Sequence, residues 1–323
     1  MEGESSRHDN LEVVFQDQSA KPCDFRLEYL MNITDNFSDK RKLGRGGFGV
    51  VYKGTLPNGA IIAVKNLVST AEVQDEEFKN EVDNLMRVRH QNIVQFVGYC
   101  YETRKTYIDY NGNYVFAETP QMLLCFEYMP KGSLDRHIKE ESRGLDWEKR
   151  YEIIKGICCG LKYLHEECLI NGSIVHLDLK PENILLDVNM VPKIADFGLS
   201  RLFNDQKTRT CTTHRLGTIG YMAPEYLYQG IITNKADIYS FGVIIIEVVS
   251  GRKIIPYATG NFCIDFELVL KNWRNRLEAS PSCTSLEIYC KQIKDCVEIG
   301  KSCLNVDPGE RPSIREIIEM LDK

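Results

Sequence analysis

Val175-His176-Leu177-Asp178-Leu179-Lys180-Pro181-Glu182-Asn183 is the stretch that decides how this chain is read. It sets an aspartate and an asparagine five residues apart with a lysine between them. Thirteen residues beyond Asn183 stands Asp196-Phe197-Gly198, and Ala223-Pro224-Glu225 follows further on. Any one of these tripeptides could be a turn that carries a charge. About ten required identities in one fixed order, each at odds of roughly one in twenty on average usage, are not a coincidence.

Working outward, Gly44-Arg45-Gly46-Gly47-Phe48-Gly49-Val50-Val51 fits G-x-G-x-x-G-x-V. Glycines let backbone N–H groups approach phosphates with no Cβ in the way. The spacing alone also marks dinucleotide-binding folds, where the glycines open a helix and an acidic residue follows about 20 positions on. Here they join two strand-like segments, Lys42-Leu43 and Val50–Lys53, and a lysine, Lys65, follows on the next strand, Ile61–Lys65. No G-x-x-x-x-G-K-[ST] occurs, which excludes a Walker-type loop. Spacing predicts a helix over 75–89, with Phe78, Val82, Leu85 and Met86 on one face. Glu81 lies at the edge of that stripe. Such a carboxylate is a solvated flank unless a cation waits opposite it.

Composition sets the outer bounds. The chain has 323 residues, 43% hydrophobic and 27% charged, as a soluble globular protein of two lobes carries. A net charge of -6 gives no reason to expect nucleic acid or an anionic membrane as partner. The 12 cysteines are scattered without Cys-x-x-Cys or zinc-finger spacing, and read as small apolar residues in a reducing compartment. No signal peptide or myristoylation pattern is visible. The most apolar stretch, Phe241–Val249, is nine residues long, whereas a bilayer needs about 20. It is predicted to be a buried helix, with Asp237 at its opening. The chain is expected to be cytoplasmic, with recruitment to the inner face of the plasma membrane left open.

Three regions follow. Residues 1–36 form a polar tail and a short lead-in helix over Phe25–Ile33, with disorder expected as far as about Lys21. Residues 37–129 are mostly strands with one helix, and residues 130–323 are mostly helical. Within the second region Tyr101–Gln121 is a long connection with a hairpin signal at Asn111-Gly112.

The motifs together resemble the protein-kinase signature set, from about Phe37 to Asp322. Finer detail resembles the plant receptor-like kinases and their animal relatives, the Pelle and interleukin-receptor-associated kinases. It is carried by Asn36-Phe37-Ser38, Tyr128-Met129-Pro130-Lys131-Gly132-Ser133-Leu134 and Gly217-Thr218-Ile219-Gly220-Tyr221-Met222-Ala223-Pro224-Glu225. The resemblance implies an α+β, bilobal fold with a β-rich N-lobe, a helical C-lobe and ATP in the cleft between them. It also implies protein substrates and an upstream receptor or co-receptor kinase.

Roles come with the resemblance. Lys65 would hold the α- and β-phosphates and pair with Glu81. Asp196 and Asn183 would bind Mg²⁺, which favours hard oxygen ligands. Asp178 would take or orient the substrate hydroxyl proton, and Lys180 would steady the transferring phosphoryl group. Leu43, Gly44, Arg45, Gly46, Gly47, Phe48 and Gly49 would cover the nucleotide. Val51, Ala63 and Leu185 would sandwich the adenine, Glu127 and Met129 would meet its edge through their backbone, and Phe126 would guard the back of the pocket. The Asp178–Asn183 loop and Thr218 resemble the serine/threonine form. Thr208, Thr210, Thr212, Thr213 and Thr218 are candidate regulatory hydroxyls. Arg311 is expected to pair with Glu225. A catalytically dead scaffold would have lost Lys65, Asp178 or Asp196, and all three are present. One departure stands out: Leu177 replaces the arginine that usually precedes the catalytic aspartate.

Overall fold

A computed structural model describes residues 21–47, 49–67, 74–138, 144–168, 172–203, 209–254, 264–280 and 285–323. The expected disorder before Lys21 therefore lies outside the described residues. The chain divides into two compact units, one of residues 1–89 and 94–129, the other of residues 90–93 and 130–323.

The first unit is a six-stranded sheet in the order β1-β5-β6-β4-β3-β2. Its strands are β1 (Cys23–Asp24), β2 (Lys42–Gly46), β3 (Gly49–Thr55), β4 (Ile61–Leu67), β5 (Phe96–Tyr110) and β6 (Asn113–Glu127). All neighbours are antiparallel except β1 with β5. The connection expected at Tyr101–Gln121 is the outer part of the β5–β6 hairpin, closed at Asn111-Gly112. The lead-in helix, α1 (Leu27–Ile33), buries Leu27, Leu30 and Ile33 against Val97, Cys100, Leu123 and Cys125 of the sheet. Three successive residues after it, Asp35, Asn36 and Phe37, have φ near +55. L-residues rarely take that conformation in series. Thr34 holds the turn: its hydroxyl donates to the Leu30 carbonyl at 2.6 Å and accepts from the Phe37 N–H at 3.3 Å, while Phe37 packs on Tyr52.

The predicted 75–89 helix is α2 (Gln74–Leu85) and ends four residues early. The Arg87 and Val88 amides reach only the third residue back, Asn84 and Leu85, which tightens the last turn and stops the helix. Phe78, Val82 and Leu85 are buried as the periodicity required.

The second unit opens with the short strand β7 (Gly132–Ser133) and is built on α3 (Trp147–Lys162), α4 (Pro224–Gln229), α5 (Asn234–Ser250), α6 (Phe266–Glu278), α7 (Leu286–Cys303) and α8 (Ile314–Leu321). Helix α5 is buried from Ala236 to Ser250, an apolar cylinder of the kind found only inside a core. It starts three residues before Asp237, with the Thr233 hydroxyl as its cap, so Asp237 lies in the first turn and not at the opening. A Cβ at Gly242 would stand 2.6 Å from the Cys303 Cβ, and one at Gly300 2.7 Å from Ile246. Glycine lets α5 and α7 touch backbone to backbone. All ten cysteines among the described residues are free thiols. Burial pushes those of Cys100 and Cys303 up to about 12.

Arg311 fastens the end of this unit to α4. Both terminal nitrogens reach Glu225 at 2.7 Å, and further bonds go to the Asn305 and Lys235 carbonyls. Both side chains are buried. Removing one partner of such a pair leaves a charge without compensation. Arg311→Ala is therefore expected to lower unfolding stability by about 3–5 kcal/mol in urea titration. Arg274→Ala, which breaks the exposed pairs with Glu278 and Glu287, should stay within about 1 kcal/mol.

Candidate active site

Asp178 lies in the loop between β8 (Ser173–Val175) and the turn Pro181–Asn183, which runs into β9 (Ile184–Leu186). It is buried, yet every acceptor on it is occupied. Thr218 Oγ1 donates to Oδ1 at 2.7 Å, Lys180 Nζ donates to Oδ2 at 2.7 Å, and Asn183 Nδ2 reaches Oδ2 at 3.0 Å and the main-chain oxygen at 2.8 Å. Lys180 Nζ also donates to Thr218 Oγ1 at 2.7 Å. Asp178, Lys180 and Thr218 close a triangle. Charge-assisted bonds of this length hold side chains tightly in a site of low dielectric.

The loop's backbone is strained and then anchored. Leu177 has φ +67, a left-handed conformation that costs a non-glycine residue about 1–2 kcal/mol. The carboxylate of Asp237, fully buried in the first turn of α5, accepts from the His176 N–H at 2.8 Å and the Leu177 N–H at 2.9 Å. Its Oδ2 also meets His165 Nε2 at 2.9 Å. His165 reaches it from a widened turn, Tyr163–Glu167, where the Cys168 amide bonds the Tyr163 carbonyl five residues back. His176 Nε2 meets the Ala195 carbonyl at 3.0 Å, and its Nδ1 accepts from the Asp178 amide at 3.3 Å. Those two contacts fix the Nε2–H tautomer. The His176 ring packs edge-on against Phe197 at 5.1 Å. Asp196, between them, has φ +68.

β9 and β10 (Pro192–Ile194) form a short ladder that joins the two halves of this site. Asn183 precedes β9, Asp196 follows β10, and the Ala195 amide donates to the Asn183 carbonyl at 2.9 Å. Leu185 is half-buried on β9.

In the first unit, Lys65 on β4 and Glu81 on α2 are both about nine-tenths buried, with Nζ 3.7 Å from Oε1. The cation expected opposite Glu81 is Lys65. Strands β2 and β3 are paired at Gly46↔Gly49. Among the described residues nothing lies within 4 Å of where a Cβ would stand on Gly44, Gly46 or Gly47. A Cβ on Gly49 would meet the Asn66 carbonyl oxygen at 2.3 Å, so that glycine is required by packing. Leu43, Val51 and Ala63 are half-buried on β2, β3 and β4, and Arg45 is exposed. Phe126 and Glu127 end β6, Met129 is buried just beyond, and Glu127 exchanges bonds with Gln95 through its amide and its side chain.

Phe48 and Thr208 lie outside the described residues. Thr210 and Thr213 are exposed, and Thr212 and His214 bond each other across a tight turn. Thr218 stands apart from them, on the Asp178 triangle. Sequence reasoning gave no role to His165, His176, Tyr221 or Glu247. His176 and Tyr221 stood inside quoted motifs, whereas His165 and Glu247 carried no signal.

A profile described as the protein kinase domain matches residues 37–321. The chain belongs to the protein kinase domain family. Membership implies ATP and a divalent cation. The chain is similar to a G-type lectin S-receptor-like serine/threonine-protein kinase of Arabidopsis thaliana, 38% identical over 94% of this chain and 36% of that protein. It is also similar to the cysteine-rich receptor-like protein kinases 37 and 26 of the same plant, 39% and 38% identical over 93% and 98% of this chain and 45% of each relative. This kinase domain thus spans well under half the length of those relatives. Among its described residues no helix is long and apolar enough to cross a membrane.

The donors fit the implied cation. Asn183 commits its amide nitrogen to Asp178, which leaves the carbonyl oxygen as its ligand atom, and Asp196 supplies a carboxylate. Both are hard oxygen donors.

Beside the triangle lies a carboxyl group with a different character. Glu247 on α5 accepts from the Tyr221 hydroxyl at 2.9 Å and the Ile254 amide at 2.8 Å, with Lys253 and Glu182 nearby. Burial pushes its pKa up to about 7. The folded state therefore holds a proton that the unfolded chain releases near 4.5, and stability falls as pH rises from about 4.5 to about 7. Glu247→Gln should remove that slope. Urea unfolding at pH 5 and pH 7.5 is expected to show a smaller loss of stability in the variant than in the wild type.

Proposed function

We propose that this domain is a serine/threonine protein kinase that transfers the γ-phosphoryl group of ATP to protein hydroxyls with Mg²⁺ as its cation. The observation that carries the reading is the closed Asp178–Lys180–Thr218 triangle. Asp178 Oδ1 already accepts a hydrogen bond from a threonine hydroxyl, and a substrate serine or threonine brings the same donor to the same acceptor. Asp178 then orients that hydroxyl and takes its proton as the new O–P bond forms and the bond from the γ-phosphorus to the β,γ-bridging oxygen breaks, with ADP as the leaving group. Lys180 balances the charge on the phosphoryl oxygens. Asp196 and Asn183 would hold the cation, which when bound neutralises charge on the β- and γ-phosphates.

Lys65, fixed by Glu81, binds the α- and β-phosphates in this reading, beneath the amides of Gly44, Gly46 and Gly47. Val51, Ala63 and Leu185 pack on the adenine, Glu127 and Met129 meet its edge, and Phe126 closes the back. Most of the rate enhancement would come from placing charge ahead of the reaction, since the transition state is loose. The relatives are named as receptor-like kinases of a plant, which supports a part in receptor-type signalling; this reading adds an upstream receptor or co-receptor kinase as partner and a place on the cytoplasmic side of the plasma membrane.

The test is incubation of purified protein with radiolabelled ATP, Mg²⁺ and a serine- or threonine-containing peptide, followed by phosphosite mapping. Nucleotide binding without transfer would overturn the reading. Asp178→Asn should cut transfer at least about a thousandfold while ATP affinity, read by calorimetry, changes less than about threefold.

Position 177 sets an expectation for control. In kinases with arginine there, a basic pocket repels itself until an activation-loop phosphate arrives. Leu177 is buried and carries no charge. Dephosphorylation of the autophosphorylated enzyme is therefore expected to change kcat on an exogenous peptide by less than about tenfold, or 1.4 kcal/mol in barrier. A hundredfold loss would show that Lys207, Arg209, His214 or Arg215 replaces the missing arginine.

A further inference from the structure

The outer half of the β5–β6 hairpin leaves the first unit's sheet as a two-stranded arm. The two strands keep one register from Gly98↔Cys125 to Tyr110↔Asn113. Strand β4 accompanies β6 only as far as Leu123, and β1 accompanies β5 only at Gly98 and Tyr99. Among the described residues no strand lies alongside β5 from Thr103 to the tip.

The tip settles which backbone groups face outward. Asn111 and Gly112 have φ 52 and 80, a type I′ turn in which the Asn113 amide donates to the Tyr110 carbonyl. Pairs alternate from there. Tyr110, Ile108, Thr106 and Arg104 spend their N–H and C=O groups on β6, while Asp109, Tyr107, Lys105 and Thr103 turn theirs away. The same rule points the Tyr99 carbonyl outward, and the Phe25 amide of β1 meets it there at 2.7 Å. On β6 the outward row is broken, because Pro120, opposite Thr103, has no N–H. The β6 row therefore stops at Glu118, and the longer unbroken edge is that of β5.

The side chains on this row make the edge self-complementary. Tyr107 is 68% exposed and packs edge-on against Phe116, which is 53% exposed, at 5.3 Å. Lys105 pairs with Glu118 of its own hairpin at 2.8 Å, and an antiparallel pair of identical strands centred on Tyr107 sets the same lysine opposite Asp109 of the second copy as well, twice over by symmetry, and brings the two tyrosines and two phenylalanines onto one face. A pair centred on Lys105 would set like charges together, and one centred between them has no ion pair. Opposite charges and aromatic rings facing across strands each contribute about 0.2–1 kcal/mol.

We propose that β5 of one chain pairs with β5 of a second copy about a two-fold axis at Tyr107, joining two arms into a four-stranded sheet. Six backbone hydrogen bonds, two at Tyr107 and two at each Lys105–Asp109 pair, would hold it. So short an overlap falls in the small, transient class of interfaces, and association in the range of about 10–500 μM follows. A closed isologous contact uses up the β5 edge of both copies and leaves only the shorter β6 row, which Pro120 ends.

The test is sedimentation equilibrium of the whole chain at rising concentration. The average mass should climb from 37.1 kDa towards twice that value. Tyr107→Pro removes an amide that the hairpin itself does not use, so the arm persists and the association constant should fall at least about tenfold. In a Cys211→Ser background, Tyr107→Cys should cross-link the dimer under mild oxidation. Its two Cα atoms would lie about 5.5 Å apart, within disulfide reach. Thr103→Cys should not cross-link, since that position faces Asn111 of the partner. A chain that stays monomeric throughout, an association constant unchanged by Tyr107→Pro, or equal cross-linking from both positions would each overturn the proposal. Saturable capture of a peptide of the N-terminal apolar stretch Leu11-Glu12-Val13-Val14-Phe15-Gln16 by a monomeric chain would overturn it too, by assigning the edge to this chain's own N-terminal segment.

Discussion

One buried carboxylate holds the catalytic loop to the core. Asp237 has no exposed surface, and a carboxylate in that position costs several kcal/mol unless donors surround it. The donors are the amides of His176 and Leu177, the two residues immediately before Asp178, together with the His165 ring. The dependence therefore runs both ways. The charge cannot stay buried unless the loop adopts its strained turn, and the strained turn cannot persist without the charge. Because α5 is buried along nearly its whole length, the loop inherits the rigidity of the core and not that of the surface.

The first unit solves a related problem with different means. Lys65 comes from the middle of a sheet and Glu81 from a helix, and each would be expensive to bury alone. Their ion pair at 3.7 Å lets both remain nine-tenths buried. It also couples the helix to the strand, so that a movement of α2 changes the position of a cation. In the second unit the Glu225–Arg311 fork does the same for two buried charges, with both terminal guanidinium nitrogens on the carboxylate.

The chemistry was more legible in the sequence than the architecture that supports it. Asp178, Lys180, Asn183 and Asp196 stand in short motifs whose spacing follows from one reaction, and local spacing survives folding unchanged. Glu81 needed a partner before it could be read, and the partner lies sixteen residues away on another element. His165 had no signal at all, since its role depends on a distance to Asp237 that 72 residues of chain do not specify. The early end of α2 lies in amides that turn to the third carbonyl back, and the raised pKa of Glu247 lies in burial, neither of which a pattern of residue types records.

The widened turn at Tyr163–Glu167 has a consequence for insertions and deletions. A regular helix advances 100° per residue, and a single turn closed five residues back instead of four holds one residue more than that rhythm allows. Everything after it is rotated by that one step relative to α3, and His165 lies within the rotated part. The turn acts as a stored phase shift between the helix and the loop that follows. Losing Leu164 from it would restore an even helix and swing His165 away from Asp237, although every residue named in the active site would still be present.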